Sequence, residues 1–218
     1  MTHGPMLTSA AMSTDVSLAC ECGKLRGTAF DVSPSVGTRV ICYCDDCQAF
    51  ARFLGRSGVL DERGGTDLFQ MAPSKVRFTS GTETLGCVRL SEKGMHRWYC
   101  TECKTPLGNT AGAGLPFVGM IHSFMRHEQG ERWRDEVLGR PLARVNTKFA
   151  TPGEPIPSPP VGTLRAIART VRLVAGWWLT RSGSPSPFFD ATTKAPRAVP
   201  RVLSTDERRA LAREPARA

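Results

Sequence analysis

The sequence predicts a mainly β domain held together by metal, followed by a basic, partly helical tail. Three observations lead there: short strand-like segments broken by turn residues, seven cysteines in three tight clusters, and a proline-rich break near residue 150. The chain has 218 residues and 40% hydrophobic content, enough for a core. No uninterrupted apolar run approaches the roughly 20 residues that cross a bilayer. The opening "MTHGPMLTSAAMSTDVSLAC" lacks a basic start and long apolar block, so it does not read as a secretory signal. A cytoplasmic location is the default expectation; there thiols stay reduced and clustered cysteines read as metal ligands.

Four stretches follow from composition. Residues 1–15 are expected to be disordered, 16–149 to form the compact domain, 150–162 to be a linker, and 163–218 to be the extension. Within the domain, "LRGTAFDV", "TRVICYC", "DLFQMA", "KVRFTS", "CVRLS", "HRWYC" and "PFVGMI" carry β-branched and aromatic residues between Gly, Pro and Ser breaks. "CQAFARFL" spaces Phe50, Phe53 and Leu54 at helical intervals, predicting a short helix from near Asp46. A second helical pattern, "MRHEQGERWRDEVL", is interrupted by Gly130.

The stretch "ATPGEPIPSPPVG" contains five prolines and reads as a stiff linker. Beyond it, "LRAIARTVRLVAGWWL" gathers Leu164, Ile167, Val171, Val174, Ala175 and Trp178 on one face of an amphipathic helix. That face is expected to dock on the β domain; a membrane surface or a partner is the alternative. "STDERRALARE" reads as a capped helix with Ser204 or Thr205 at its start. Residues 151–218 hold 11 basic against 5 acidic side chains, so 6 of the chain's 9 net positive charges lie there. Such a tail suits an acidic partner, an anionic lipid surface or nucleic acid, or is simply a solvated face.

The clusters are Cys20-x-Cys22, Cys42-x-Cys44-x-x-Cys47 and Cys100-x-x-Cys103. Zinc takes four ligands in a tetrahedron, and close cysteines on a turn supply two at once. The first and last clusters together make a closed, structural four-thiolate set. The middle cluster supplies three thiolates, and a three-ligand zinc site is the catalytic kind. Two zincs per chain are therefore expected. Cys87, His96, His122 or His127 could close the second set, although a lone strand cysteine is commonly just a buried apolar residue. Asp45 and Asp46 suit turn formation and helix capping.

In combination, "CECGKLRG" (20–27), "CYCDDCQ" (42–48) and "YCTECKTPLGN" (99–109) resemble the signature blocks of the glutathione-dependent formaldehyde-activating enzyme family. That family includes centromere protein V-like proteins, and the resemblance covers roughly residues 18–125. It implies a Mss4-like, mostly β fold with two zincs. Cys20, Cys22, Cys100 and Cys103 would hold the structural ion, and Cys42, Cys44 and Cys47 the labile, catalytic one. The implied reaction joins formaldehyde to glutathione, or in reverse acts as a carbon–sulfur lyase. Arg52, Arg56 and Arg97 are candidates to receive the carboxylates of glutathione. Tyr43, Asp45, Gln48 and Lys104 depart from the family, which usually has His or Asn, Ser, Arg and Gly at these places.

Two further functions compete with the enzyme. One is a non-enzymatic zinc module whose tail, with Trp177 and Trp178, binds a partner, a membrane surface or nucleic acid. Nucleic acid is its weaker variant, since tandem finger patterns and aromatic-basic strands are missing. The other is thiol redox chemistry at the middle cluster, disfavoured because no basic residue stands within it.

Overall fold

The computed structural model describes residues 13–126 and 130–211. Residues 1–12 of the expected N-terminal stretch, and His127, lie outside the described residues. Among the described residues the chain is mainly β, with eleven strands in two sheets and a few helices.

The strands run in chain order as β1 (Thr14–Ala19), β2 (Arg26–Val32), β3 (Thr38–Cys42) and β4 (Thr66–Met71). β5 (Val76–Ser80), β6 (Leu85–Arg89), β7 (His96–Cys100) and β8 (Pro106–Thr110) follow. β9 (Val118–Ile121), β10 (Ala143–Val145) and β11 (Arg201–Val202) complete the set. The helices are α1 (Asp45–Leu54), α2 (Gly130–Leu138), α3 (Pro160–Leu179) and α4 (Thr205–Ala210). Gly130, which interrupts the helical pattern in the sequence, starts α2.

β1, β2 and β5 form a three-stranded antiparallel sheet. The larger sheet has the order β10-β3-β4-β9-β8-β7-β6-β11, antiparallel except where β10 joins β3 and β11 joins β6 at its two edges.

Side chains alternate across a strand, and the cross-strand register gives the larger sheet two distinct faces. Arg39, Phe69 and Met120 stand side by side on the first face; Val40, Leu68 and Ile121 do so on the second. The small sheet covers the first face, burying Val16, Leu18, Ala29 and Val76 against Phe69, Met71, Met120 and Trp98. α1 covers the second, burying Ala49, Phe50 and Leu54 against Val40, Leu68 and Ile121. The Val, Leu, Ile, Met and Phe side chains of each core would individually release about 1.5–3 kcal/mol on full burial.

Residues 160–211 wrap this sheet. α3 packs over β3 and β10, where Ala166 enters the second core. The chain then crosses to the first face, where Phe188 is fully buried 5.2 Å from the Trp98 ring and 5.4 Å from Phe78. β11 next joins the β6 edge, and α4 reaches α1. The proline-rich stretch before α3 is tied down as well: Ser158 donates to the Arg144 carbonyl, and Arg63 to those of Thr151 and Glu154.

α3 docks by the side opposite to the expected one. Arg169 donates to the carbonyls of Pro34, Ser35 and Gly37, and the Thr170 hydroxyl to Gln70 Oε1 at 2.7 Å. Of the six side chains expected to be buried, Leu164, Ile167, Val171, Ala175 and Trp178 are exposed and Val174 is half-buried. Turn carbonyls left over at the start of β3 and the polar end of Gln70 drew the polar side of the helix inward.

Candidate metal centre

Two groups of thiols come together, and both match the clusters seen in sequence. Cys20, Cys22, Cys100 and Cys103 form one group and Cys42, Cys44 and Cys47 the other, with the sulfurs of each within 4.8 Å of one another. Either group can hold a metal ion.

The four-cysteine group joins the β1–β2 turn to the β7–β8 turn. Sγ separations are 3.4 Å for Cys20–Cys22 and 3.9 Å for Cys22–Cys100. A tetrahedral ion with sulfur bonds of about 2.3 Å sets its ligands about 3.8 Å apart, so the donor set fits one. Gly23 and Lys104 take left-handed conformations (φ 71° and 59°) that close the two turns. Gly adopts this freely, whereas at Lys104 it costs a residue with a Cβ a modest strain. Backbone and hydroxyl donors surround the sulfurs: the Leu25 amide lies 3.3 Å from Cys20 Sγ and Thr105 Oγ1 lies 3.1 Å from Cys103 Sγ. Burial pushes the Cys20 thiol up to about 12. Burial also pushes Cys103 upward, but the Thr105 hydroxyl and nearby amides outweigh it and leave that thiol at about 6. A metal binding this set displaces protons from the high-pKa members, which makes its affinity pH-dependent.

The three-cysteine group sits on the second face of the sheet. Cys42 ends β3; Cys44 is the N-cap of α1, its sulfur accepting from the Cys47 amide at 3.4 Å; Cys47 lies in the first helical turn. Helix capping and ligand presentation are thus one local event, and Gly55 ends the helix in the left-handed conformation with φ 65°. Cys42 and Cys47 are buried and Cys44 is half-buried. Hydrogen bonds from the Cys44 and Cys47 thiols draw Cys42 down to about 3, while the same contacts push Cys47 well above the usual thiol range. Three sulfurs packed this closely suit a shared cation.

Basic and amide groups absent from the cluster itself arrive through the fold. Arg97 Nη1 stands 3.9 Å from Cys47 Sγ, and Asn146 Nδ2 donates to Cys42 Sγ at 3.6 Å. Arg208 of α4 donates to Asp45 and Asp46, 2.8 Å each, so the late chain is fastened across the turn that carries the ligands. Asp45 and Asp46 also occupy the first turn of α1, where carboxylates favour the helix. Gln48 donates to the carbonyls of Tyr43 and Phe149, fixing α1 to the segment that follows Asn146.

The histidines and the eighth cysteine do not join this group. Cys87 pairs with Trp98 across β6 and β7 and belongs to the first core, where burial pushes its thiol to about 12. His96 stacks on Trp98 and meets Phe189 edge-on, on the same side. His122 lines a polar cavity of about 460 Å³ with Arg39, Tyr43, Asp61, Asp67 and Arg134. Among the described residues, no other cysteine, histidine or carboxylate completes the set. Of the candidate arginines, Arg97 reaches the cluster. Arg56 instead binds the Cys103 carbonyl and Glu21, and Arg52 the Leu211 carbonyl.

Beside Cys47, under α1, lies a small cavity with room for about one water molecule (about 10 Å³). Phe50, Val59, Thr66, Arg97 and Asn109 line it together with Cys47. Thr66 Oγ1 and Arg97 Nε are buried without a hydrogen-bond partner in the protein. Buried polar atoms are costly when unpaired, and both of these belong to residues that line the cavity. Thr66 and Asn146 carry no sequence signal for this role. Asn109 closes the third cysteine block, the one hint it offers.

These features define a mainly β, cysteine-stapled protein with two thiol centres of different completeness. The chain belongs to a family of unknown function (DUF6151), whose match spans residues 12–196 and so takes in α3 and the Phe188–Phe189 hook. Comparison with curated proteins gives no match.

Proposed function

We propose that the chain is a two-zinc protein of Mss4-like fold that makes or breaks a carbon–sulfur bond in a small thiol adduct. Glutathione is the thiol implied by the resemblance to formaldehyde-activating enzymes. Cys20, Cys22, Cys100 and Cys103 would hold the structural zinc and Cys42, Cys44 and Cys47 the catalytic one. The observation that carries the reading is the three-thiol group with a small, mostly apolar cavity against it, two of whose lining residues, Thr66 and Arg97, each hold an unpartnered buried polar atom. Zinc held there would favour a thiol as thiolate at neutral pH.

The chain's own residues supply the rest. Arg97 balances negative charge next to Cys47, and the neutral Asn146 amide donates a hydrogen bond to Cys42. Thr66, Asn109 and Arg97 can hydrogen-bond a carbonyl or hydroxyl oxygen in the cavity. Its size admits about that one oxygen and leaves the carbon outside it. Phe50 and Val59 supply part of its apolar wall. In the synthetic sense the sulfur forms a bond to the carbonyl carbon, and the thiol proton ends on the carbonyl oxygen. The reverse step returns both.

The test uses zinc-loaded protein, glutathione and carbon-13 formaldehyde, with adduct exchange followed by NMR. Exchange should quicken with the protein and return to the uncatalysed rate in Cys44→Ser, whose circular dichroism stays unchanged. Uncatalysed exchange in the wild type rules the reading out. It would leave a zinc-stapled binding module, a reading favoured by the outward apolar face of α3.

A further inference from the structure

α3 presents its apolar side to solvent. Leu164, Val171 and Trp178 are 67%, 62% and 66% exposed, and Val161, Ile167 and Leu179 are more than half exposed too. At 100° per residue these positions, with Ala168 and Ala175 between them, fall within an arc of about 120°. From Val161 to Leu179 the stripe is about 27 Å long. A patch this large and continuous on a surface marks an interaction site. It is not a loosely held element: Arg169, Thr170 and the buried Ala166 fix the opposite side of the helix to the domain. The outward orientation is therefore part of the fold.

The charge around the stripe selects the occupant. Between residues 155 and 189 there are four arginines, Arg165, Arg169, Arg172 and Arg181, and no acidic side chain. Arg165 and Arg172 are exposed along one border of the stripe, and Arg181 follows its end. Against a second copy of the same face, these arginines would meet only one another. Against an anionic lipid surface each would be favourable by about 1 kcal/mol. Trp178 closes the stripe with the side chain most at home at a membrane interface. No helix among the described residues is long and apolar enough to cross a membrane, so the geometry is that of a helix lying in the interface plane.

We propose that α3 docks the protein onto the surface of an anionic bilayer, its apolar stripe entering the headgroup boundary and Arg165 and Arg172 meeting lipid phosphates and carboxylates. The docking stands whether or not the thiol centres are catalytic.

Full-length, zinc-loaded protein would be floated with vesicles of phosphatidylcholine alone or with 30% phosphatidylserine, at about 50 and 300 mM salt. Binding should be at least ten-fold stronger with phosphatidylserine and weaken at high salt. The double substitution Leu164→Ser with Val171→Ser should lower it at least ten-fold at an unchanged melting temperature, because both side chains are exposed. Arg165→Gln with Arg172→Gln should remove most of the preference for phosphatidylserine. Three results overturn the proposal: no flotation at low salt, flotation indifferent to the double serine variant, or a concentration-dependent dimer that the serine variant abolishes in place of lipid binding.

Discussion

Arg97 Nη1 and Cys47 Sγ stand 3.9 Å apart although one lies in β7 and the other in the first turn of α1, fifty positions away from each other. Arg97 also reaches Asp46 and Asn109, so one buried guanidinium connects the helix that carries the thiols to the sheet beneath. The contact changes the electrostatic reading of the middle cluster: the basic neighbour missing from "CYCDDC" is supplied by β7.

Replacing it should be felt at the metal. Groups that support ligands from behind typically contribute 10–100-fold to metal affinity. Arg97→Leu is expected to weaken the ion at Cys42, Cys44 and Cys47 by about that factor, and Arg97→Lys by less, in a competition titration against a chelating dye. The other ion should bind as before. Equal weakening at both centres would show general loosening and not a local role.

The two thiol centres should respond differently to loss of a ligand. Cys22→Ser opens the clamp between the two turns, about 80 residues apart, and should lower the melting temperature by more than 10 °C, since structural metal sites contribute directly to folding. Cys44→Ser should shift it by a few degrees at most, with about one ion per chain retained. Metal analysis and calorimetry on the same samples check this pair.

Asp67 is nearly buried between Arg39 at 2.7 Å and Arg134 at 3.0 Å. Burial alone would raise its pKa; the Arg39 hydrogen bonds and charge prevail and hold it below the ordinary 3.8. A carboxyl with a depressed folded pKa stabilises the protein above the unfolded value, and that contribution fades as pH falls from about 5 through the folded pKa. Asp67→Asn should therefore cost about 1.5–3 kcal/mol at pH 7 by removing the carboxylate that Arg39 and Arg134 share, while Arg39 keeps its pair with Asp135. The gap to the wild type should narrow below pH 4 in urea melts. A gap independent of pH would mean that shape, not charge, is what the network provides.

Phe188 lies fully buried against Trp98 and Phe78. Phe188→Ala should cost about 3–5 kcal/mol, seen as a lower urea midpoint for the whole domain in one transition. An unchanged midpoint would mean that the hook rests on the β domain without supporting it.

How far the sequence speaks follows from the range of the interactions involved. β2 to β7 and β9 show alternating β-branched and aromatic residues and are legible. β8, "PLGNT", carries Pro and Gly and looks like a turn. β10 and β11 are three and two residues long, too short for any period, and are strands because an edge is there to receive them. The thiol groups are legible because close spacing supplies most ligands on single turns. Asn146 and Thr66 are not, because they meet the centre only through the fold. α3 is legible as an amphipathic helix, yet its buried side is not, since that depended on which groups of the domain lay open opposite it.

The two short parallel strands bear on how the chain must mature. Both borders of the eight-stranded sheet are sealed by segments translated late, Ala143–Val145 on one side and Arg201–Val202 on the other. Until residue 202 has left the ribosome, β6 exposes unpaired amides and carbonyls that can recruit a neighbouring chain. Shortened forms ending before that point would be expected to clump during expression, and a fusion partner at the C-terminus needs a spacer long enough to let the last seal close.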